Sequence, residues 1–275
     1  MQNKTIRYIL NDITQKLNHV LPRASREAQL LIMFFLNVDE LWLLTNQNHK
    51  IKDLDKLYQL VERRLKNEPL EYITNKVSFY SQEFYIDSGA LIPRPETELF
   101  IDEVIKRISN KATDMTFAEV GVGSGIISII LALEYKNAKF IAVDISQKAI
   151  DVAKKNIVRF GLEDRIELRL GSLLKPVTEK IDYLISNPPY IATDTILESN
   201  LSYEPQNALF GGDIGDEIIN KLLDEVLSRN INFFTCEMGY DQKGKITLKL
   251  NDETFTSLEF YKDLSDFDRG FTLRL

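Results

Sequence analysis

Cysteine and histidine are nearly missing from this chain of 275 residues, which holds one Cys, Cys236, and two His, His19 and His49. A single thiol cannot close an internal disulfide or build a cysteine-cluster zinc site, and it suits a reducing compartment. Both histidines lie in the N-terminal region, far in sequence from every motif below, so neither a histidine-based triad nor a bound metal is expected. Long apolar runs are missing as well. The longest, 30–36 and 126–133, fall well short of the roughly 20 residues that cross a bilayer, and the N-terminus carries no basic stretch followed by an apolar one. A cytoplasmic location is the expectation. A basic excess is also lacking: the formal net charge is −7, with 11 Lys/Arg against 9 Asp/Glu in residues 1–75 and 23 against 32 in the remainder. Phosphate neutralisation supplies most of the affinity for nucleic acid, so no extended nucleic-acid binding is expected of so acidic a region.

What is present falls into three blocks. Ile6, Ile9, Leu10, Ile13, Leu17 and Val20 recur at spacings of three and four, predicting a helix from Thr5 to about Val20. Ser25 is placed to cap a second helix over 26–37, and Leu54, Leu57, Val61 and Leu65 mark a third that ends before Pro69. Residues 1–75 therefore read as a small helical bundle. Residues 76–95 change to short aromatic and β-branched pieces, broken at Ser81-Gln82 and at Ser88-Gly89, and read as a β-hairpin linker. Pro93 and Pro95 stiffen the segment IPRPETE, whose Glu96 and Glu98 lie near the start of a helix, where carboxylates are favoured.

Residues 96–275 form the third block. Strands are expected at 117–120, 139–143, 165–170, 181–186 and 232–237, with helices at 125–134, 147–160 and 216–228 between them. The helical or irregular piece after 237 gives way to two strands, 255–261 and 271–275, expected to form an antiparallel edge. The fold class is α/β, a mostly parallel seven-stranded sheet.

Between the first strand and its helix, FAEVGVGSGII sets Gly121, Gly123 and Gly125 at every second position. Such a loop turns tightly and lets a ligand lie against bare backbone. The third glycine comes one place earlier than in the dinucleotide fingerprint G-x-G-x-x-G. Asp144, nineteen residues past Gly125, ends the apolar strand KFIAVD at the carboxyl edge of the sheet, where it can accept both hydroxyls of a ribose. Ser146 is available to cap the following helix, which leaves Asp144 free for a ligand. This spacing favours S-adenosylmethionine over a nicotinamide dinucleotide and leaves both open.

The strand 181–186 runs into Asn187-Pro188-Pro189-Tyr190. Prolines have fixed φ and no amide hydrogen, so carbonyls here are held in direction without serving a ladder. Asn187 offers an amide carbonyl, Pro188 a backbone carbonyl, and Tyr190 a flat face. Two fixed acceptors side by side match an NH2 group. Methyl transfer to such a nitrogen needs in-line geometry and stabilisation of the positive charge that develops on it. The tetrapeptide alone suits an amide as well as an exocyclic base amine, which Tyr190 would stack upon.

Together these residues resemble the HemK/PrmC family, the protein-(glutamine-N5) methyltransferases of peptide chain release factors. The likeness runs through EPLEYITNKVSFYSQEFYIDSGALIPRPETE (68–98), EVGVGSG (119–125), AVDIS (142–146), ISNPPYI (185–191), YEPQNALFGGDIGDEII (203–219) and CEMGYDQ (236–242). The resemblance implies a class I S-adenosylmethionine-dependent fold, Rossmann-like, with a helical N-terminal domain that grips the release factor. It also implies methylation of the glutamine in the Gly-Gly-Gln loop, modulating translation termination. By position, Glu119, Gly121, Val122, Gly123, Ser124, Gly125, Asp144 and Asn187 would hold the cofactor, with Ser172 and Leu173 at its adenine. Asn187, Pro188, Pro189 and Tyr190 would bind the glutamine, and a monomer is expected. Glu119 stands where the family usually has Asp, and Ser172-Leu173 replaces a common Asp-Trp pair.

Overall fold

The structure is a computed structural model that describes residues 4–112, 114–199 and 201–275; positions 1–3 of the expected helical block lie outside the described residues. The chain divides into two compact units, 1–76 with 198–203, and 77–197 with 204–275.

In the first unit, β1 (Lys4–Thr5) leads into α1 (Ile6–Leu17), whose N-terminus is capped by the Thr5 hydroxyl. Then follow α2 (Ala24–Leu36), α3 (Glu40–Thr45), β2 (Lys50–Ile51), α4 (Leu54–Leu65) and α5 (Leu70–Thr74). The apolar stripe of α1, Ile6, Ile9, Ile13 and Leu17, is fully buried against α2 and α4. Helix α1 stops at Leu17, three residues short of the expected end, and Val20 is exposed. Ser25 is not a cap. Helix α2 begins at Ala24 with no side-chain cap at Arg23, because Ala24 and Ala28 are drawn into the bundle core. Packing prevails over the local capping signal. Burial also fixes the ion pair between Arg64 and Glu27, whose guanidinium and carboxylate meet in a two-point contact.

The second unit starts at Val77, within the hairpin of β3 (Lys76–Phe79) and β4 (Gln82–Tyr85), turned by Tyr80 and Ser81, both at positive φ. Helix α6 (Glu96–Arg107) follows Pro95, and Glu98 in its first turn accepts the amide of Tyr80. The rest alternates: β5 (Thr116–Val120), α7 (Ile126–Glu134), β6 (Lys139–Asp144), α8 (Gln147–Phe160), β7 (Ile166–Leu170), β8 (Tyr183–Ser186), β9 (Ile191–Ala192), β10 (Phe210–Gly212), α9 (Glu217–Arg229), β11 (Phe233–Glu237), α10 (Lys243–Lys249), β12 (Ser257–Lys262) and β13 (Asp268–Arg274).

Seven strands make one sheet in the order β12-β13-β11-β8-β5-β6-β7, with β13 antiparallel to both neighbours. Helix α7, IISIILALE, is apolar on nearly every face and accordingly buried. At the amino ends of the parallel strands, Phe140, Phe117, Tyr183 and Phe233 stack side by side across four strands, with ring centroids 4.7, 5.4 and 4.4 Å apart. This aromatic ladder ties the strands together at the end opposite the glycine loop. From β5 the chain runs outward through β6 and β7, then returns to place β8 on the other side of β5. That reversal is a topological switch point, where ligands of such sheets bind at the carboxyl ends of the strands.

Candidate active site

A cavity of about 340 Å3 opens at this switch point. The register explains its floor: Val120 pairs with Ser186, so Gly121 and Asn187 leave adjacent strands side by side. Gly121, Gly123 and Gly125 all have positive φ, at 80°, 53° and 81°, which is why glycine recurs there. A Cβ on Gly121 would stand 3.6 Å from the Asn187 carbonyl oxygen and fill the cradle between the strands. Val122 and Ser124 line the cavity with them.

Asp144 ends β6 at the cavity wall, and it is not free as the capping argument suggested. Its Oδ2 accepts the Gly123 amide and its Oδ1 the Ser146 amide, each at 2.9 Å, while the Ser146 hydroxyl caps α8 through the Ala149 amide. The carboxylate thus holds the glycine loop in shape while Asp144 itself borders the cavity. Burial raises its pKa, against the pull of those amides.

Glu119 lies on β5, fully buried, and its Oε2 accepts both the amide and the hydroxyl of Ser128 in the first turn of α7. Its Oε1 is buried with no partner, and Glu119 is among the residues that border the cavity. Burial is the main cause that pushes its pKa up to about 8. An unpaired, buried carboxyl oxygen fits a cationic group of a ligand, whose charge would favour the ionised form.

The folded state holds the Glu119 proton more tightly than the unfolded state, so the associated stability is complete below its ordinary value of 4.5 and is lost as pH rises through about 8. Without ligand, the wild type is expected to lose melting temperature over that interval more steeply than Glu119→Gln. Equal slopes in paired thermal melts would contradict this placement.

At the far wall, Ser172 and Leu173 border the cavity, Leu173 with a positive φ of 53°. Asn187, Pro188 and Pro189 border it from β8. Among the described residues no donor reaches the Asn187 Oδ1 or the Pro188 carbonyl, so both acceptors remain available. Tyr190 is placed differently: it lies outside the cavity lining, packs on the core beneath the sheet edge, and holds its hydroxyl 3.5 Å from Glu237 Oε1. Burial raises its pKa.

Sequence reasoning missed several neighbours. Gly89, Ala90, Leu91, Pro93 and Arg94 also border the cavity. Arg94 pairs at 2.7 Å with the buried Glu204, whose other oxygen accepts the Ile92 amide, so the IPRPETE segment is pinned to the YEPQN segment. Buried Thr97 and Glu237 and half-buried Asn187 form a hydrogen-bonded chain that no single stretch announces.

Residues 9–74 match the PrmC N-terminal domain and residues 95–202 the methyltransferase small domain. The sheet order and the cavity at its switch point define a class I S-adenosylmethionine-dependent methyltransferase. The chain is 39% identical over 234 residues to the release factor glutamine methyltransferase of Dictyoglomus turgidum, covering 83% of each chain. It is 36% identical over 283 residues to that of Clostridium botulinum, covering 97% of this chain and 99% of the relative. The chain belongs to the release factor glutamine methyltransferase family. Among solved structures, the human METTL16 catalytic domain in complex with MAT2A 3′UTR hairpin 6 shares the fold, with a TM-score of 0.59 and 15% identity over 70% of this chain and 74% of that one.

Proposed function

We propose that the enzyme methylates the side-chain amide nitrogen of the glutamine in the Gly-Gly-Gln loop of peptide chain release factors, modulating translation termination. The observation that carries this reading is the pair of unengaged acceptors, Asn187 Oδ1 and the Pro188 carbonyl, beside the cavity in a chain of this family. S-adenosylmethionine supplies the electrophilic methyl group on its sulfonium. The residues around the cavity fit that cofactor. Glu119 would accept from its ammonium, Asp144 from its ribose hydroxyls, and Gly121 to Gly125, with Val122 and Ser124, would allow close approach of the methionine portion. Ser172 and Leu173 would border its adenine, and Asn187 lines the cavity from the β8 side.

Asn187 and Pro188 accept the two hydrogens of the glutamine amide, turn its lone pair toward the methyl group, and stabilise the positive charge that grows on the nitrogen. Pro189 fixes the loop. Tyr190 supports this loop through its contact toward Glu237. No strong base is required before transfer, because the N-methylated cation is acidic and gives up its proton afterwards.

Residues 1–75 recognise the substrate protein, 76–95 link, and 96–275 catalyse; the match of 9–74 to the PrmC N-terminal domain supports the first assignment. No described helix is long and apolar enough to cross a membrane; action as a monomer in the cytoplasm is part of the same proposal. The test uses labelled cofactor with a bacterial release factor and with its Gly-Gly-Ala variant. Label is expected on the first and absent from the second; label retained on the variant overturns the reading.

A further inference from the structure

Strand β11 pairs in parallel with β8, Cys236 opposite Ser186, so the next residues, Glu237 and Asn187, emerge side by side at the carboxyl edge. Thr97, second residue of α6, sits with them: its hydroxyl donates to Glu237 Oε2 at 2.9 Å, and Asn187 Nδ2 donates to Thr97 Oγ1 at 3.2 Å. Thr97 and Glu237 are 3% and 2% exposed, so water does not compete for the bond between them, while Asn187 is half-buried at the cavity.

We propose that Thr97 and Glu237 are positioning residues that set which end of the Asn187 amide faces the reacting nitrogen. This rests on the glutamine reading above. A threonine hydroxyl has one hydrogen, and an ionised carboxylate only accepts. With Glu237 ionised, Thr97 spends its hydrogen on the carboxylate and can only accept from Asn187. The Asn187 NH2 is thereby turned toward Thr97 and Oδ1 toward the substrate. A reversed amide would set NH2 against NH2 and leave buried donors unpaired. The motif IPRPETE acquires a role in this way: Pro93 and Pro95 stiffen the approach to a helix whose Thr97 polarises the catalytic asparagine.

The polarity depends on the charge of Glu237. Burial is the main cause that pushes its pKa up to about 7; the Thr97 and Tyr190 hydroxyls and Arg269 pull it down, and Glu96 raises it. The other titratable groups facing it, Tyr261 on β12 and the Cys236 thiol on its own strand, are both held neutral by burial. Once protonated, Glu237 can donate to Thr97, whose own hydrogen then favours a turned Asn187 amide. Turnover is therefore expected to fall as pH drops below about 7.

Two readouts on the full chain test this. In steady-state kinetics on a release factor, Thr97→Val is expected to lower kcat roughly 10- to 100-fold, the scale of one misplaced buried hydrogen bond, with cofactor affinity unchanged. Thr97→Ser restores most of kcat, and Glu237→Gln removes the low-pH limb of the kcat profile. In the absence of substrate, the side-chain 15N resonance of Asn187 is expected to titrate with a midpoint near 7 in the wild type and to be flat in Glu237→Gln. A wild-type resonance that does not titrate, or a Thr97→Val enzyme with wild-type kcat, overturns the proposal. A wild type inactive on release factors refutes the glutamine reading instead, and the resonance then decides the positioning claim on its own.

Discussion

Asn187→Ala is expected to lower kcat by more than about 150-fold, a loss exceeding about 3 kcal/mol of transition-state stabilisation, while the fold and the melting temperature stay close to wild type. The residue follows β8 at the cavity edge, and among the described residues its side chain makes one hydrogen bond, to Thr97, so truncation removes little that holds the protein together. It removes one of two fixed acceptors aimed at hydrogens whose acidity grows as the methyl group arrives. An amide nitrogen is a weak nucleophile, so the ground state gains little from that acceptor and the transition state gains much. Rapid-quench single-turnover rates check this directly. A rate within a few-fold of wild type would remove Asn187 from the chemistry.

Gly211→Ala is expected to cost about 100-fold or more in kcat with a stability loss of only about 1–3 kcal/mol. Gly211 is central in β10, which lies parallel to β9 with Phe210 opposite Ile191, immediately after the Asn-Pro-Pro-Tyr loop. A Cβ there would sit 2.5 Å from the Gly215 carbonyl oxygen and closer still to that of Pro189, well inside the separation any real Cβ tolerates. Both obstacles are backbone, so neither can swing aside as a side chain would. The Pro189 carbonyl must yield, and Pro188, one residue away and rigidly joined, moves with it. The acceptor pair then loses its alignment while the glycine loop and Asp144, held by their own hydrogen bonds, keep the cofactor side intact. The matching measurement is a pair of numbers for the variant, kcat and cofactor Kd. Loss confined to the first is expected; wild-type turnover would show that the loop tolerates the displacement.

The sheet and its helices were legible because their apolar periods are long. Residues 147–160 and the strand KFIAVD announce themselves through spacing alone. Shorter pieces were not. Helices α3 and α5, of six and five residues, and the two- and three-residue strands β1, β2, β9 and β10, have no room to show a period. Ser25 misled because a good capping residue says nothing about whether burial of Ala24 starts the helix earlier. In the site, the glycine loop, Asp144 and Asn187 could be read because each ends a strand at the same sheet edge. The partners of Asn187 could not. Thr97 lies 90 residues from Asn187 and 140 from Glu237, and only the parallel register of β8 and β11 brings the three together. Asp144 shows the opposite error: Ser146 caps α8, yet Asp144 also accepts two backbone amides, because one residue can shape a loop and face a ligand at once.

The most direct test of the central claim is tandem mass spectrometry of a release factor after incubation with the enzyme and S-adenosylmethionine. A single methyl group on the side-chain nitrogen of the Gly-Gly-Gln glutamine, formed at a greatly reduced rate when Asn187→Ala replaces the wild type, is the predicted result. A methyl group on any other residue, or none on the protein, would contradict the account.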